Sequence, residues 1–538
     1  MDTTRRSRSM CLVGAALLLV AFGPVTAHAQ EPVPTIEILT TTEAYDPIRY
    51  EAAFMTADTW RELGFDVVVR PLEFSTLLER FYDQQDFDVT ILGWSGRVDR
   101  LDPQHFLSTL DSRQTSLGSN NPGGYTNPAY DALFDAQAAE FDADARRAIV
   151  LEMQELVAPD APLVVLYHRD EVIAYNATRW ADLVTMAGEG LYNEWTPLRA
   201  TPLGDDRVLT IGTPQEPDTL NPLDSTSVWG WKWMRMYYDK LVRLSPEIEP
   251  LPWAAAAITA VDDVTIDITL REGMTFHDGQ PVTAEDVKFT FDYYVEQDFG
   301  YFRAFLTPIE SVDVTGPLGV RFNLATPFAP FITVTLSQIP ILPAHIWSDI
   351  ADPADLAPDQ IPQIGSGPFQ FDRYDRGEYK RLTVYSEHFA AADIDIDAME
   401  MIVYADSEGV FTGMQTGELD MTAWRMEPGQ IPLAEQNADL VVVGVPDFGY
   451  FHMTWNLRNA PFDDVAVRRA LSMATDRQHM VNVLLDGRGE VGSSVVAPVN
   501  AFWHNPFTER FDFDMDAARS ELEAAGYTWN ADGRIVAP

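Results

Sequence analysis

The chain has 538 residues, and its 82 acidic against 37 basic side chains give a formal net charge of −45. Such a surface repels the phosphates of nucleic acid and anionic lipid headgroups, which excludes nucleic acid as a partner. With 46% hydrophobic residues, 13 tryptophans and one cysteine, the chain reads as a packed globular protein of about three domains at ~150 residues each, stable without a disulfide.

The first 29 residues read as a targeting segment. Arg5, Arg6 and Arg8 form a basic start, Leu12 to Phe22 an apolar run, and Ala27, His28 and Ala29 a small-x-small cleavage site. The run is about half of the ~20 apolar residues a membrane span needs, and no later run is longer. Cys11 precedes the apolar run rather than following it, so a lipid anchor is not expected. The expectation is cleavage near Ala29, release into the periplasm and no direct membrane insertion.

Thr35 to Leu39 alternates as a strand, and Tyr50 to Leu63 has helical spacing with Ala53, Met55, Ala57, Trp60 and Leu63 apolar. Phe65 to Val69 is a second strand, Phe74 to Asp83 a helix, and Phe87 to Trp94 a strand that ends in a glycine-rich turn. Asn127 and Pro128 open a helix, Asp142 to Val157 is a strongly amphipathic one, and Leu163 to Tyr167 is a short buried strand. A polar Pro/Gly punctuation at 201–206 precedes a new strand at Val208 to Gly212. Val264 to Leu270 and Gly319 to Asn323 alternate as strands. Ala284 to Tyr294 is a helix with Thr283 as N-cap and Asp286 three residues into it. Phe369 to Tyr374 and Lys380 to Tyr385 form a hairpin. Val465 to Ala474, Arg477 to Leu485 and Asp516 to Ala525 are helices, the last closed by Gly526. Strands and helices mixed throughout predict an α/β architecture of several lobes.

Several segments resemble the family 5 extracellular solute-binding proteins, the peptide- and nickel-binding type of ABC importers. LTIGTPQEPDTLNP (Leu209 to Pro222) is similar to that family's opening strand and loop. LREGMTFHDGQPVTAEDVKF (Leu270 to Phe289) is the most specific match. Tyr238 to Val242, GSGPF from Gly365, and Pro461 to Leu471 agree with it. The order is unusual. Asp516 to Tyr527 resembles a helix that the family follows with a turn, strand, helix and strand, and those elements stand at 35–69 instead.

The resemblance therefore implies a two-lobed periplasmic-binding-protein fold, type II in the three-domain family 5 form, circularly permuted. Residues 30–165 and 447–538 would form the second lobe, 166–245 and 359–446 the core of the first, and 246–358 its extra domain. Phe448 to Asn456 and Pro162 to Val172 resemble the crossings between lobes. The implied function is capture of a peptide-like solute and its delivery to an ABC transporter permease, by a monomer without cofactor or metal. An oligosaccharide, an anionic small solute or a ligand-sensing role stays open as the alternative.

Candidate ligand contacts are Trp94, Arg97, Asp99, Trp229, Trp231, Trp424, Tyr450 and Trp503. Aromatic rings offer flat faces for a sugar or a peptide plane. In the family's peptide binders the Gly-Trp turn is followed by an aspartate that pairs with the peptide amine, and the matching position here is Arg97. Arg97 brings a fork suited to carboxylate, phosphate or sulfate, and Asp99 offers an alternative partner for an amine. Met234 and Met236 read as core. No His-Glu-x-x-His, Gly-x-Ser-x-Gly or nucleophilic cysteine supports an enzyme, and a hydrolase is the weaker reading.

Overall fold

The computed structural model describes residues 32–96, 100–225, 227–297 and 302–538. The expected targeting segment, Arg97 and Asp99 lie outside these residues. In chain order the elements that build the site begin with β1 (Ile36–Thr41), α1 (Pro47–Leu63), β2 (Val67–Leu72), α2 (Phe74–Leu78) and β3 (Val89–Trp94). Helices α3 (Pro103–Leu107), α4 (Pro128–Ala139) and α5 (Ala143–Val157) lead to the long strand β4 (Leu163–Asn176). Next come β5 (Val208–Thr213), α6 (Val228–Tyr237), β6 (Ala255–Asp262), β7 (Thr265–Leu270), α7 (Ala284–Glu296), β8 (Ile309–Gly316) and β9 (Gly319–Leu324). The series continues with β10 (Phe369–Asp375), β11 (Tyr379–Val384), β12 (Ala398–Val403), β13 (Met421–Thr422), β14 (Leu440–Pro446) and β15 (Tyr450–Trp455). It closes with α8 (Val465–Met473), α9 (Arg477–Leu484), β16 (Gly489–Val491), α10 (Met515–Ala524), β17 (Thr528–Trp529) and β18 (Ile535–Val536).

One sheet runs through the molecule in the order β10-β11-β12-β5-β13-β4-β15-β3-β1-β2, with β14 and β16 also paired to β4. Its two ends are separate parallel sets. At one end β5 lies parallel to β12 and β13. At the other, β1 lies parallel to β2 and β3. Strand β4 joins them. Its beginning pairs with β15, its middle with β16 and its remainder with β14, which runs on through Asp447, Phe448 and Gly449 into β15. Two extended segments thus cross between two lobes. The short strand expected at Leu163 to Tyr167 is 14 residues long because it serves both. A separate four-stranded antiparallel sheet, β6-β7-β9-β8, with α7 against it, extends the first lobe.

Local chemistry explains the element ends that matter here. Asp46 caps α1 by accepting from the Arg49 N–H, and Pro47 fills the first turn, so the helix starts earlier than its apolar spacing suggests. Thr283 and Asp286 form a reciprocal capping box on α7. In the Gly365 to Phe369 stretch, a Cβ on Gly365 would stand 1.9 Å from the Tyr237 carbonyl oxygen, so only glycine lets this loop lie on the end of α6.

The beginning and end of the described chain meet in the second lobe. The Val33 N–H donates to the Ile535 carbonyl at 3.0 Å, and the Ile535 N–H donates to the Gly64 carbonyl at 3.0 Å. Pro32 bridges Val536. Val33, Ile36, Trp60, Leu522 and Ile535 share one buried cluster. Among the described residues no helix is long and apolar enough to cross a membrane.

Candidate interlobe cleft

In open parallel sheets ligands bind beyond the carboxyl ends of the strands, at the point where the strand order reverses and successive connections leave on opposite faces. Both lobes meet this condition. In the second, the order β2-β1-β3 places that point between β1 and β3. Helix α1 packs on one face, while the cluster of Leu39, Leu77, Phe81, Phe87 and Leu92 covers the other. Residues after β1 (Tyr45, Asp46, Arg49) and after β3 (Ser95, Gly96, Arg100) therefore face the crevice. In the first lobe, the order β12-β5-β13 brings Trp229 after β5 and Trp424 and Arg425 after β13 to the corresponding place.

The crossing segment is tightly keyed between them. A Cβ on Gly449 would fall 2.0 Å from the Trp94 carbonyl oxygen, and one on Gly96 would fall 1.7 Å from the Asp447 carboxylate. Gly188, in the left-handed region at φ +72°, lies so close to the Phe448 ring that a Cβ would stand 1.8 Å away. Phe448, on the crossing itself, belongs to the buried cluster of the first lobe. The lobes touch on the far side as well, where the Thr333 hydroxyl divides its proton between Asp102 at 3.3 Å and the Pro330 carbonyl at 3.2 Å. Asp102 is held in turn by both terminal nitrogens of Arg146, at 2.7 and 2.8 Å.

A group of buried charges surrounds the crossing. The Arg49 guanidinium lies 5.4 Å from the centre of the Phe451 ring and 5.9 Å from that of Tyr45, with one nitrogen 3.4 Å from Asp46. Arg169, on β4, approaches the same Phe451 ring at 4.4 Å. Arg425 lies 3.9 Å from Glu171 and 4.8 Å from the centre of the Trp424 ring. Burial raises the Asp46 carboxyl, but Arg49, Arg169 and Arg425 together outweigh it and hold this acid below its usual range. Asp447 behaves oppositely. Burial, reinforced by the charge of Glu171, pushes it up to about 7 against the pull of the Gly449 N–H, Arg169 and Arg425.

The predicted contacts divide by place. Trp229 and Trp424 come together at 5.4 Å, and Tyr192 stacks on Trp229 at 6.4 Å and 10°. Trp94, paired with Tyr450 across β3 and β15, carries Arg100 at 4.7 Å. Tyr450 itself is buried under Phe106. Trp503 supports Arg146 at 4.8 Å, behind the cleft wall. Trp231 is a core residue: only 2% exposed, it packs on Phe302 and donates its ring N–H to the Ser225 carbonyl. Met234 and Met236 are buried. Sequence reasoning missed Arg49, Arg169, Arg425 and Asp447. The available signal was Arg49 on the same helical stripe as Ala52, Ala53, Thr56, Ala57, Trp60 and Leu63, all buried. No cluster of three metal-ligating side chains occurs among the described residues.

The comparisons with known proteins agree with this architecture. The model of the bacterial extracellular solute-binding proteins, family 5 (middle), matches residues 249–536. The oligopeptide-binding protein AppA of Bacillus subtilis is 28% identical over 60% of this chain and 60% of its own length. The glutathione-binding protein GsiB of Salmonella typhi is 26% identical over 57% and 59%. The chain thus spans about three fifths of these relatives. The solved structure of B. subtilis AppA in complex with a nonapeptide superposes with a TM-score of 0.50 at 27% identity, covering 61% of this chain and 66% of that one. NikZ from Campylobacter jejuni, at 20% identity and a TM-score of 0.50, shares the fold over 62% of this chain and 66% of its own. A family model that covers more than half of the sequence is decisive, and the chain belongs to the family 5 bacterial extracellular solute-binding proteins.

Proposed function

We propose that this protein captures a peptide-like solute between its two lobes, outside the cytoplasm, and presents it to the permease of an ABC importer. One observation carries the reading: two parallel strand sets present their carboxyl ends to a common crevice and are joined, among the described residues, by two crossing segments, β4 and β14–β15. Such a connection hinges readily, and closure moves a solute from water into a preformed site. Named relatives that bind oligopeptide and glutathione make a peptide the first solute to test. The Trp229–Trp424 pair also suits a sugar face, which keeps an oligosaccharide as the second reading. The chemistry is binding rather than turnover, and the expected location is the periplasm, reached through the targeting segment at 1–29. A melting-temperature screen of the full chain against di- to nonapeptides, oligosaccharides and small anions tests this. Stabilisation by peptides alone supports the reading, and stabilisation by oligosaccharides alone replaces it.

The same reading includes a circular permutation, with 30–165 and 447–538 as one lobe, 166–245 and 359–446 as the other and 246–358 as its extension. Two observations support it. The segments near 32 and 536 are hydrogen-bonded neighbours. Alignments to relatives also stop at about three fifths of both lengths, as they must when a colinear comparison can follow only one of two transposed portions. A rearranged gene that joins Val536 to Pro32 through a short glycine linker, and opens between Leu203 and Asp206, should melt within a few degrees of the original and bind the same solute. Failure of that variant to fold, when the linker alone is tolerated, overturns the permutation.

A further inference from the structure

Three arginines converge where β1 ends and the crossing strand passes: Arg49 from the second lobe, Arg169 from the crossing and Arg425 from the first lobe. In a chain with more than twice as many acids as bases, two buried guanidinium groups beside a third that is half-buried call for a reason. Arg49 is 6% exposed and Arg169 7%. The Nε and Nη1 of Arg49 and the Nε of Arg169 have no hydrogen-bond partner among the described residues, and neither does the nearby hydroxyl of Thr41 at the end of β1. Buried donors left unmatched are costly and rare, and at a ligand site they mark what the ligand supplies.

Asp46, Glu171, Glu427 and Asp447 are the acids of this cluster, and burial together with the charge of Glu171 raises the Asp447 carboxyl. Beside the cluster the Trp424 ring lies under Arg425 and against Trp229, so an apolar or flat surface adjoins the cationic one.

We propose that Arg49, Arg169 and Arg425 seat a carboxylate of the captured solute, with the Trp229–Trp424 pair receiving the apolar or flat portion next to it. The inference rests on the reading of the crevice as the capture site. It deepens that reading by naming the solute as a carboxylate. Arginine suits the task because its planar fork meets both carboxylate oxygens and stays charged when desolvated. The site is completed only when Arg425, on the first lobe, closes onto the pair held by the second lobe and the crossing, so anion recognition and closure are one event.

Calorimetric titration of the full chain tests it, with three probes: the tripeptide Ala-Phe-Ala, its C-terminal amide, and 3-phenylpropionate. The free acid should bind roughly 10- to 100-fold more tightly than the amide, the size of one charge-assisted pairing. Arg425→Gln should cost the free acid a similar factor and the amide little. Arg49→Gln should act alike where its melting curve shows a folded protein. Arg425, 23% exposed in its side chain, is the variant that tests the idea if Arg49→Gln unfolds. Arg321→Gln, on the separate antiparallel sheet, is the control. Equal binding of acid and amide, or equal loss of both in Arg425→Gln, overturns the carboxylate seat and leaves peptide capture standing. Binding of 3-phenylpropionate but of neither peptide, with loss in Arg425→Gln, supports the seat and removes the peptide reading. Binding of none of the three overturns the seat.

Discussion

Two groups of buried charges can be compared, and they differ in who contributes to them. In the first lobe, Glu194 accepts from Lys240 at 2.6 Å and lies 3.2 Å from Arg243, whose guanidinium sits 4.0 Å from the centre of the Trp253 ring. Arg235 nearby donates to Gln338 at 2.8 Å. All of these residues come from one lobe. At the crossing, the charges come from the second lobe, the first lobe and the strand between them. A group whose members share a lobe is fixed once that lobe folds. A group divided among three parts changes whenever the lobes move. The first therefore belongs to stability and the second to recognition, and each experiment below presses on that distinction.

The largest effect is expected from Glu194→Ala. It leaves Lys240 and Arg243 buried without their counter-charge, a loss of about 3–5 kcal/mol, read from urea unfolding. Solute affinity measured well below the transition should not change. Arg425→Gln should do the reverse, costing under about 1 kcal/mol of stability while weakening the solute. If Glu194→Ala altered affinity as strongly as stability, the two groups would not be separable.

Titration separates them by sign. Burial raises Glu194, but Lys240, Arg243 and Arg235 outweigh it and hold the acid down to about 2. Its contribution is complete above the unfolded value near 4.5 and is lost as the pH falls towards 2. Lys240 also shifts downward, to about 8, because burial and the two neighbouring arginines exceed what one carboxylate returns. Asp447 is raised from 3.8 to about 7, so its contribution is complete below 3.8 and is lost as the pH rises through 7. Each shift corresponds to roughly 3–4 kcal/mol. Asp447→Asn should flatten the dependence between pH 4 and 7 and leave the acid limb intact. Glu194→Gln should alter the limb below 4.5. A flat profile from 4 to 7 in the unmodified protein would show that Asp447 stays ionised.

The keyed crossing gives a smaller effect. Gly188→Ala must fit a Cβ where the Phe448 ring lies and hold alanine at a positive φ, a cost of about 1–3 kcal/mol. Because Phe448 lies on the crossing and packs in the first lobe, affinity should weaken too. Unchanged affinity with lower stability would assign Phe448 to the core alone.

The amino-acid pattern revealed most of the local structure and only part of the site. The capping box at Thr283 and Asp286 and the stripe of α1 were readable because their causes lie within a few residues. The full length of β4 was not, because its second half exists to pair with β14, some 270 residues further on. Trp229 and Trp424 were readable as aromatics near cleft segments, but nothing local separates them from Trp231, two positions along α6 and turned to the core. Arg169 stands in a segment read as a crossing, and Asp447 just before the other, where the alternation of a strand gives no hint that a charged group will be buried. Their meeting depends on tertiary pairing, which spacing does not encode.

The smallest effect tests closure directly. Thr333, on the extension of the first lobe, reaches Asp102 of the second at 3.3 Å, while Arg146 already satisfies Asp102 twice. Thr333→Val keeps the shape and leaves no buried acceptor unmatched, so global stability should stay within about 0.5 kcal/mol. The contact should form on closure and break on opening, so its loss bears on the closed state alone. A hydrogen bond to a charged acceptor at this length is worth about 1 kcal/mol, and affinity for the solute should fall about 2- to 10-fold, mainly through faster release in stopped-flow displacement. An unchanged release rate would mean that the far rim of the cleft does not hold the lobes together. The crossing, with its arginines and the solute they seat, would then supply the whole free energy of closure.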